Sequence, residues 1–280
     1  LTTDFHPAHE YPEFFYSLDS DSHVHSCENT NICPPSDSLN NISVGALAGN
    51  LEGRESSDIT PLSVYPAYYT RKFNFDYTQE VNGTTLRRNR TNKYLNKPDF
   101  VFEGGDFHVE ESGMEVMTHE GEFYSRTAGT SLATPLIASM ATEVISIYPE
   151  LNIETVKALL MNSSSYKKSK NLPLFENEDN LLKKLIGFGK PNRSELLEGT
   201  DDSITLIIED YLKSDEIISI PIYLPEYLLA AQNKLIFTVS LAYKFNPQKG
   251  NHLSYIPVHM SFNLMKNLPI EDLANRKADD

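Results

Sequence analysis

The chain has 280 residues, enough for one large domain or two smaller ones, and its 40% hydrophobic and 22% charged content is ordinary globular usage, which excludes wholesale disorder and fibrous repeats. Thirty-nine acidic against 24 basic residues give a formal charge of −15. With one short basic cluster (Arg87, Arg88, Arg90, Lys93), that balance argues against nucleic-acid binding and against a polybasic membrane anchor.

Residues 1–41 are aromatic, polar and turn-rich. His23 and His25 precede Cys27, and Cys33 follows six residues later. Histidine and cysteine are zinc's preferred ligands, but this spacing matches no standard zinc pattern. The segment is therefore read as a polar loop, and no metal ligand is assigned. Two cysteines cannot form a disulfide framework for a chain of this length.

Ile42–Leu47 reads as a strand, ending in glycine and asparagine. Residues 50–96 mix Tyr, Asn, Arg and Thr without clear period and read as loops with short strands. Asn50 is read as a turn residue. Lys97–Phe102 is a brief apolar run closed by Gly104 and Gly105, and 108–125 is again polar. Residues 131–147 are apolar over almost every face of a helix, which predicts full burial. Thr134, Ser139, Thr142 and Glu143 interrupt them, so a membrane span is not expected. A second helix follows at 152–161, with Asn152 as N-cap, Glu154 in its first turn, and Val156, Leu159 and Leu160 at helical spacing.

Residues 162–184 are polar, and Gly187-Phe188-Gly189-Lys190-Pro191 follows. Beyond 199 the apolar period becomes two: Ile204, Leu206 and Ile208; Ile218 to Leu224; Leu235 to Tyr243; Ile256 to Leu264. His259 falls on the polar side of the last run. Four half-buried strands between turn-rich loops predict a small antiparallel β-sandwich. The expected division is residues 1–198, α/β, and residues 199–280, all-β.

The chemistry concentrates at Gly129-Thr130-Ser131-Leu132-Ala133-Thr134-Pro135, opening the apolar helix. A serine there lies among backbone N–H groups without helical partners, at the positive end of the helix dipole. Such donors stabilise the oxyanion of a tetrahedral intermediate. Pro135 has no N–H for the Ser131 carbonyl, a defect at the start of the helix that invites a functional reason. The bland alternative is a serine that merely caps a core helix.

The seven residues resemble the Gly-Thr-Ser-x-Ala-x-Pro signature around the nucleophile of the subtilisin-like serine peptidases. Val44-Gly45-Ala46, Lys97-Pro98-Asp99 with its following Gly104-Gly105, the helix at 152–161, and Gly187-x-Gly189 are similar to further family features in the same order. Together they cover roughly residues 35–197. The resemblance implies a parallel-sheet α/β fold and a Ser-His-Asp peptidase acting on polypeptides. Ser131 is the implied nucleophile and its N–H an oxyanion donor; Gly129 and Thr130 are implied to line the substrate.

No Asp-Ser-Gly, Asp-Thr-Gly or His-Gly-Thr occurs in the chain. His6, His9, His23, His25 and His119 do not fit the family's histidine, and Ala48-Gly49-Asn50 follows Val-Gly-Ala where the family's similar motif precedes it. With Leu1 rather than Met at its start, the chain is expected to be the C-terminal half of the catalytic domain plus a β-rich extension. The missing half would supply aspartate, histidine and the oxyanion asparagine. On that reading the isolated chain is inert and poorly soluble. The alternative is an inactive peptidase-like scaffold that binds peptides or a protein partner. No cofactor is required by this reading, no carboxylate-rich loop fixes a calcium site, and low cysteine content favours a cytoplasmic location over a secreted one.

Overall fold

The computed structural model describes residues 32, 34–48, 66–67, 69–71, 80–81, 84–85, 97–106, 113–119, 121, 123–165, 179–197, 203–213, 215–222, 236–246, 258 and 260–264. The His- and Cys-containing segment 1–31, Cys33, Asn50, the Arg87–Lys93 cluster and His259 lie outside them.

The centre is a parallel pair, β1 (Val44–Leu47) and β4 (Phe100–Glu103), in register Val44 to Phe100 through Leu47 to Glu103. Between them in sequence, β2 (Glu80–Val81) and β3 (Thr84–Thr85) form a short antiparallel hairpin. A second hairpin, β5 (Met114–Met117) with β6 (Tyr124–Thr127), leads into α1 (Thr130–Ile147), followed by α2 (Ile153–Asn162). β7 (Ser164–Ser165) pairs antiparallel with β8 (Lys190–Pro191), across α3 (Asp179–Ile186); α4 (Arg193–Leu197) closes the α/β part. The far edge of β4 takes up the turn before β8: Phe188 N–H donates to Asp99 O and Val101 N–H to Gly189 O.

Gly187 makes that approach possible. It sits at φ +56°, and a Cβ there would lie 2.0 Å from Pro98 O. Below β4, Lys97 and Asp99 are buried together. Lys97 Nζ donates to Asp99 and to Asn41 O, Asp99 accepts the Ser43 N–H at 2.8 Å, and Lys157 Nζ approaches Asp99 at 3.0 Å. Burial drives the Lys97 ammonium below its ordinary pKa, against the attraction of Asp99.

The core is formed by Phe100 under Ile137, Met140 and Val144 of α1 and Val156 and Leu160 of α2. α1 is long and apolar enough in composition to cross a bilayer, but it lies against β1 and β4. The expectation that it is buried all round is corrected. One stripe, Ala133, Ile137, Met140 and Val144, is buried, while Ile145 and Ile147 are 40% and 52% exposed. A flat two-strand layer covers one side of a helix only. The hydroxyls of Thr134, Thr142 and Ser146 bond the carbonyls of Thr130, Ala138 and Thr142, four residues back. They are thereby satisfied within the helix itself.

Sequence reading missed α3, where Leu182, Leu185 and Ile186 are buried at helical spacing, and hairpin β5–β6. The sandwich expected beyond 199 does not appear as ladders among the described residues. Described residues 203–222 and 236–264 are in no strand pairing, and Ile204, Leu206 and Ile208 are exposed. What does appear is docking on α2. The Glu209 carboxylate accepts the Asn152 N–H at 2.9 Å, the Asn152 Nδ2 at 2.6 Å and the Thr155 hydroxyl. Asn40 Nδ2 donates to Phe245 O.

Candidate active site

Parallel strands place all their carboxyl ends on one edge, which is where open α/β sheets bind ligands. Here that edge is Leu47–Ala48 and Glu103–Gly104. Gly104 N–H donates to Leu47 O, and Gly129 N–H to Gly104 O, each at 2.9 Å. Ala133, fully buried, meets Ala46, Ala48 and Ala67, so small side chains let the first turn of α1 come down onto the end of β1. Sequence thus fixes the start of α1 directly over the sheet edge.

Ser131 is exposed, in the second position of the helix. It is not the N-cap, which is Gly129, and no side chain caps the helix. The capping explanation for this serine therefore does not hold. No acidic residue stands in the first turn to occupy the backbone donors. Pro135 is inside the helix and exposed, leaving the Ser131 carbonyl without its i+4 donor. The serine is thus presented at an open, positively polarised helix start.

The two glycines that meet here differ in why they are glycine. A Cβ on Gly104 would lie 2.6 Å from Ala46 Cβ and 2.7 Å from the Tyr69 hydroxyl, so the fold demands its absence. Gly129 is in extended backbone, φ 162° and ψ 154°, and a Cβ there would meet only Ser131 N, at 3.8 Å. Folding alone gives no reason for glycine at 129. The space in front of it is open to a ligand.

Around this point the structure brings together residues that sequence reading did not single out. Tyr69 donates its hydroxyl to Gly105 O at 2.9 Å, Asp106 is buried just beyond, and hairpin β5–β6 rises beside the helix start. The alternation of Met114 and Val116 around Glu115, with Gly121 beyond, was the available signal for that hairpin. Among the described residues His119 is the sole histidine, exposed in the β5–β6 connection. A shallow groove between α1 and α4, walled by Ser139, Glu143, Ile147 and Arg193, does not include Ser131. Among the described residues no cluster of His, Cys, Asp and Glu is arranged to hold a metal ion.

Comparison with known proteins agrees with the motif order. The subtilase family model matches residues 20–189, more than half of the chain. An uncharacterized protein, y4bN, of Sinorhizobium fredii is 23% identical over 276 residues, covering 92% of this chain and 58% of its own length. The chain therefore spans less than two thirds of that relative.

Proposed function

Because the chain belongs to the subtilase family, we infer that it carries the nucleophile of a serine endopeptidase, Ser131, and works with partner groups outside residues 1–280. The observation that carries this reading is the exposed, uncapped start of α1 at Ser131, beside a Gly129 that the fold does not need. The Ser131 Oγ attacks the substrate carbonyl carbon while a histidine base takes its proton. The resulting oxyanion rests on the Ser131 N–H; collapse expels the amine, which takes the proton back from the histidine. Water then releases the acyl group by the same exchange. Gly129 and Thr130 lie along the substrate backbone in this reading.

The histidine and aspartate are assigned to a segment that this chain lacks. No His-Gly-Thr or Asp-Ser/Thr-Gly stands anywhere in its sequence, and the y4bN relative is longer by enough to hold such a segment. Residues 1–198 are then the serine-bearing part of the peptidase domain. Residues 199–280 form an appended β-rich element, a division supported by the end of the family match at residue 189. Without its base a serine hydroxyl is a weak nucleophile at neutral pH, so this chain by itself is inert.

A fluorophosphonate probe tests the reading. The protein extended over its whole reading frame takes one label, on Ser131, and hydrolyses a denatured polypeptide; Ser131→Ala does neither. A full-length protein that stays unlabelled and binds peptides without cutting them establishes the scaffold reading instead, which the missing histidine and aspartate motifs favour.

A further inference from the structure

Hairpin β5–β6 carries its largest apolar side chains where they contribute nothing to the core. Strand pairing sets Glu115 opposite Arg126 and Met117 opposite Tyr124. Period-two alternation puts these two pairs on one face. Nearer the base, Arg126 and Glu115 approach to 3.5 Å and neutralise one another. Toward the tip, Met117 is 82% exposed, Phe123 83% and Tyr124 57%. All four residues of β6 are exposed. Single exposed apolar residues are ordinary, but three large ones gathered at one tip beside a charged pair mark a contact surface. Methionine beside aromatic rings makes that surface adaptable in shape.

Its position names the occupant. Ala128 alone separates β6 from Gly129, so the strand runs straight into the serine loop. At about 3.3 Å per residue, Tyr124 stands roughly 15 Å from Gly129, the span of four or five residues of extended peptide. We propose that Met117, Phe123 and Tyr124 form a specificity subsite that receives an apolar side chain of the polypeptide substrate, four or five residues from the scissile bond. The proposal rests on the reading of Ser131 given above.

The test uses the full-length protein and its Met117→Ser/Phe123→Ser variant, whose changed side chains are exposed. Two peptide sets carry Leu or Ser at the fourth and fifth positions on either side of the cleaved bond. Wild type prefers Leu by about tenfold in kcat/KM, a ratio of the size expected for burying one apolar side chain, and the double variant loses that preference. Its labelling by a fluorophosphonate, which has no peptide part, is unchanged. Equal preference in both proteins overturns the subsite. If wild type takes no label and cuts nothing, the nucleophile reading has failed, and fluorescence anisotropy with the same peptides on Ser131→Ala decides the subsite. Leu-selective binding that the double variant loses upholds it; unselective binding overturns it. A double variant that changes only self-association, seen by light scattering, shows the tip to be a contact between copies and overturns it too.

Discussion

The Gly129 amide donates to the Gly104 carbonyl across 2.9 Å, which ties the loop before Ser131 to the carboxyl end of β4. The two glycines make opposite predictions. In Gly104→Ala a new methyl meets Ala46 Cβ at 2.6 Å and the Tyr69 hydroxyl at 2.7 Å, so β1, Tyr69 or the serine loop must shift. A loss of about 1–3 kcal/mol of stability is expected, the usual cost of overpacking, together with slower fluorophosphonate labelling of the full-length protein. Gly129→Ala meets only Ser131 N at 3.8 Å. It is expected to melt like wild type while losing peptide turnover, because its methyl enters the space left for substrate. A Gly129→Ala protein that melts far below wild type would return that glycine to a folding role.

Lys97 is 1% exposed, and its ammonium holds both Asp99 and the Asn41 carbonyl. Lys97→Met leaves that carbonyl without its donor and leaves Asp99 with Lys157 alone. Breaking a buried pair from one side costs about 3–5 kcal/mol, so urea unfolding is expected to shift by an amount in that range. Burial holds the Lys97 pKa below 10.5. Between its folded value and 10.5 the unfolded chain binds the extra proton, so the wild-type contribution of this group rises with pH across that window. A variant of unchanged urea midpoint would show that the cluster is dispensable.

What the sequence made readable was the set of elements whose signals are local. Val44-Gly45-Ala46, Lys97-Pro98-Asp99, the serine motif and Gly187-x-Gly189 all fall where the sheet edge and its turns are built. Asn152 does occupy the N-cap position, but its side chain makes no capping bond. The carboxylate at that helix start comes from Glu209, 57 residues away, which no local pattern announces. The α1 helix was misjudged for a related reason. Its hydroxyls are silenced by carbonyls one turn back, so composition overstates how much of its surface must be covered. In α3, the Leu182, Leu185 and Ile186 spacing was masked by the polar run around it.

The exposed flank of α1 separates a part of a domain from a whole one. Ile137 is buried against Phe100, and Ile137→Ala is expected to cost about 2–5 kcal/mol in residues 1–280 and in the full-length protein alike. Ile145 is 40% exposed, and Ile145→Ser is expected to leave the melting of residues 1–280 nearly unchanged. In the full-length protein the same change is expected to cost about 1–2 kcal/mol, because a further segment then buries that flank. Equal, near-zero effects in both would mean that this side of the helix faces water in the whole protein.

Glu209 offers a pH test of how residues 203–213 are held on α2. Its carboxylate accepts from the Thr155 hydroxyl, the Asn152 N–H and the Asn152 amide, and those bonds, that of Thr155 first, hold its pKa below 4.5. The sign follows from proton counting. The unfolded chain takes up its proton near 4.5 and the folded chain only at lower pH. The contribution of this group is therefore whole above pH 4.5 and is lost as pH falls through the folded value. Glu209→Gln keeps the shape and removes the charge. It is expected to melt below wild type at pH 7, with the gap closing in acid, where wild type is protonated as well. Amide exchange at Asn152 and Thr155 should quicken in the variant at pH 7 while that of Val156, deeper in α2, holds. A melting gap that stays constant from pH 7 into acid would show that the carboxylate's charge does not fasten the segment.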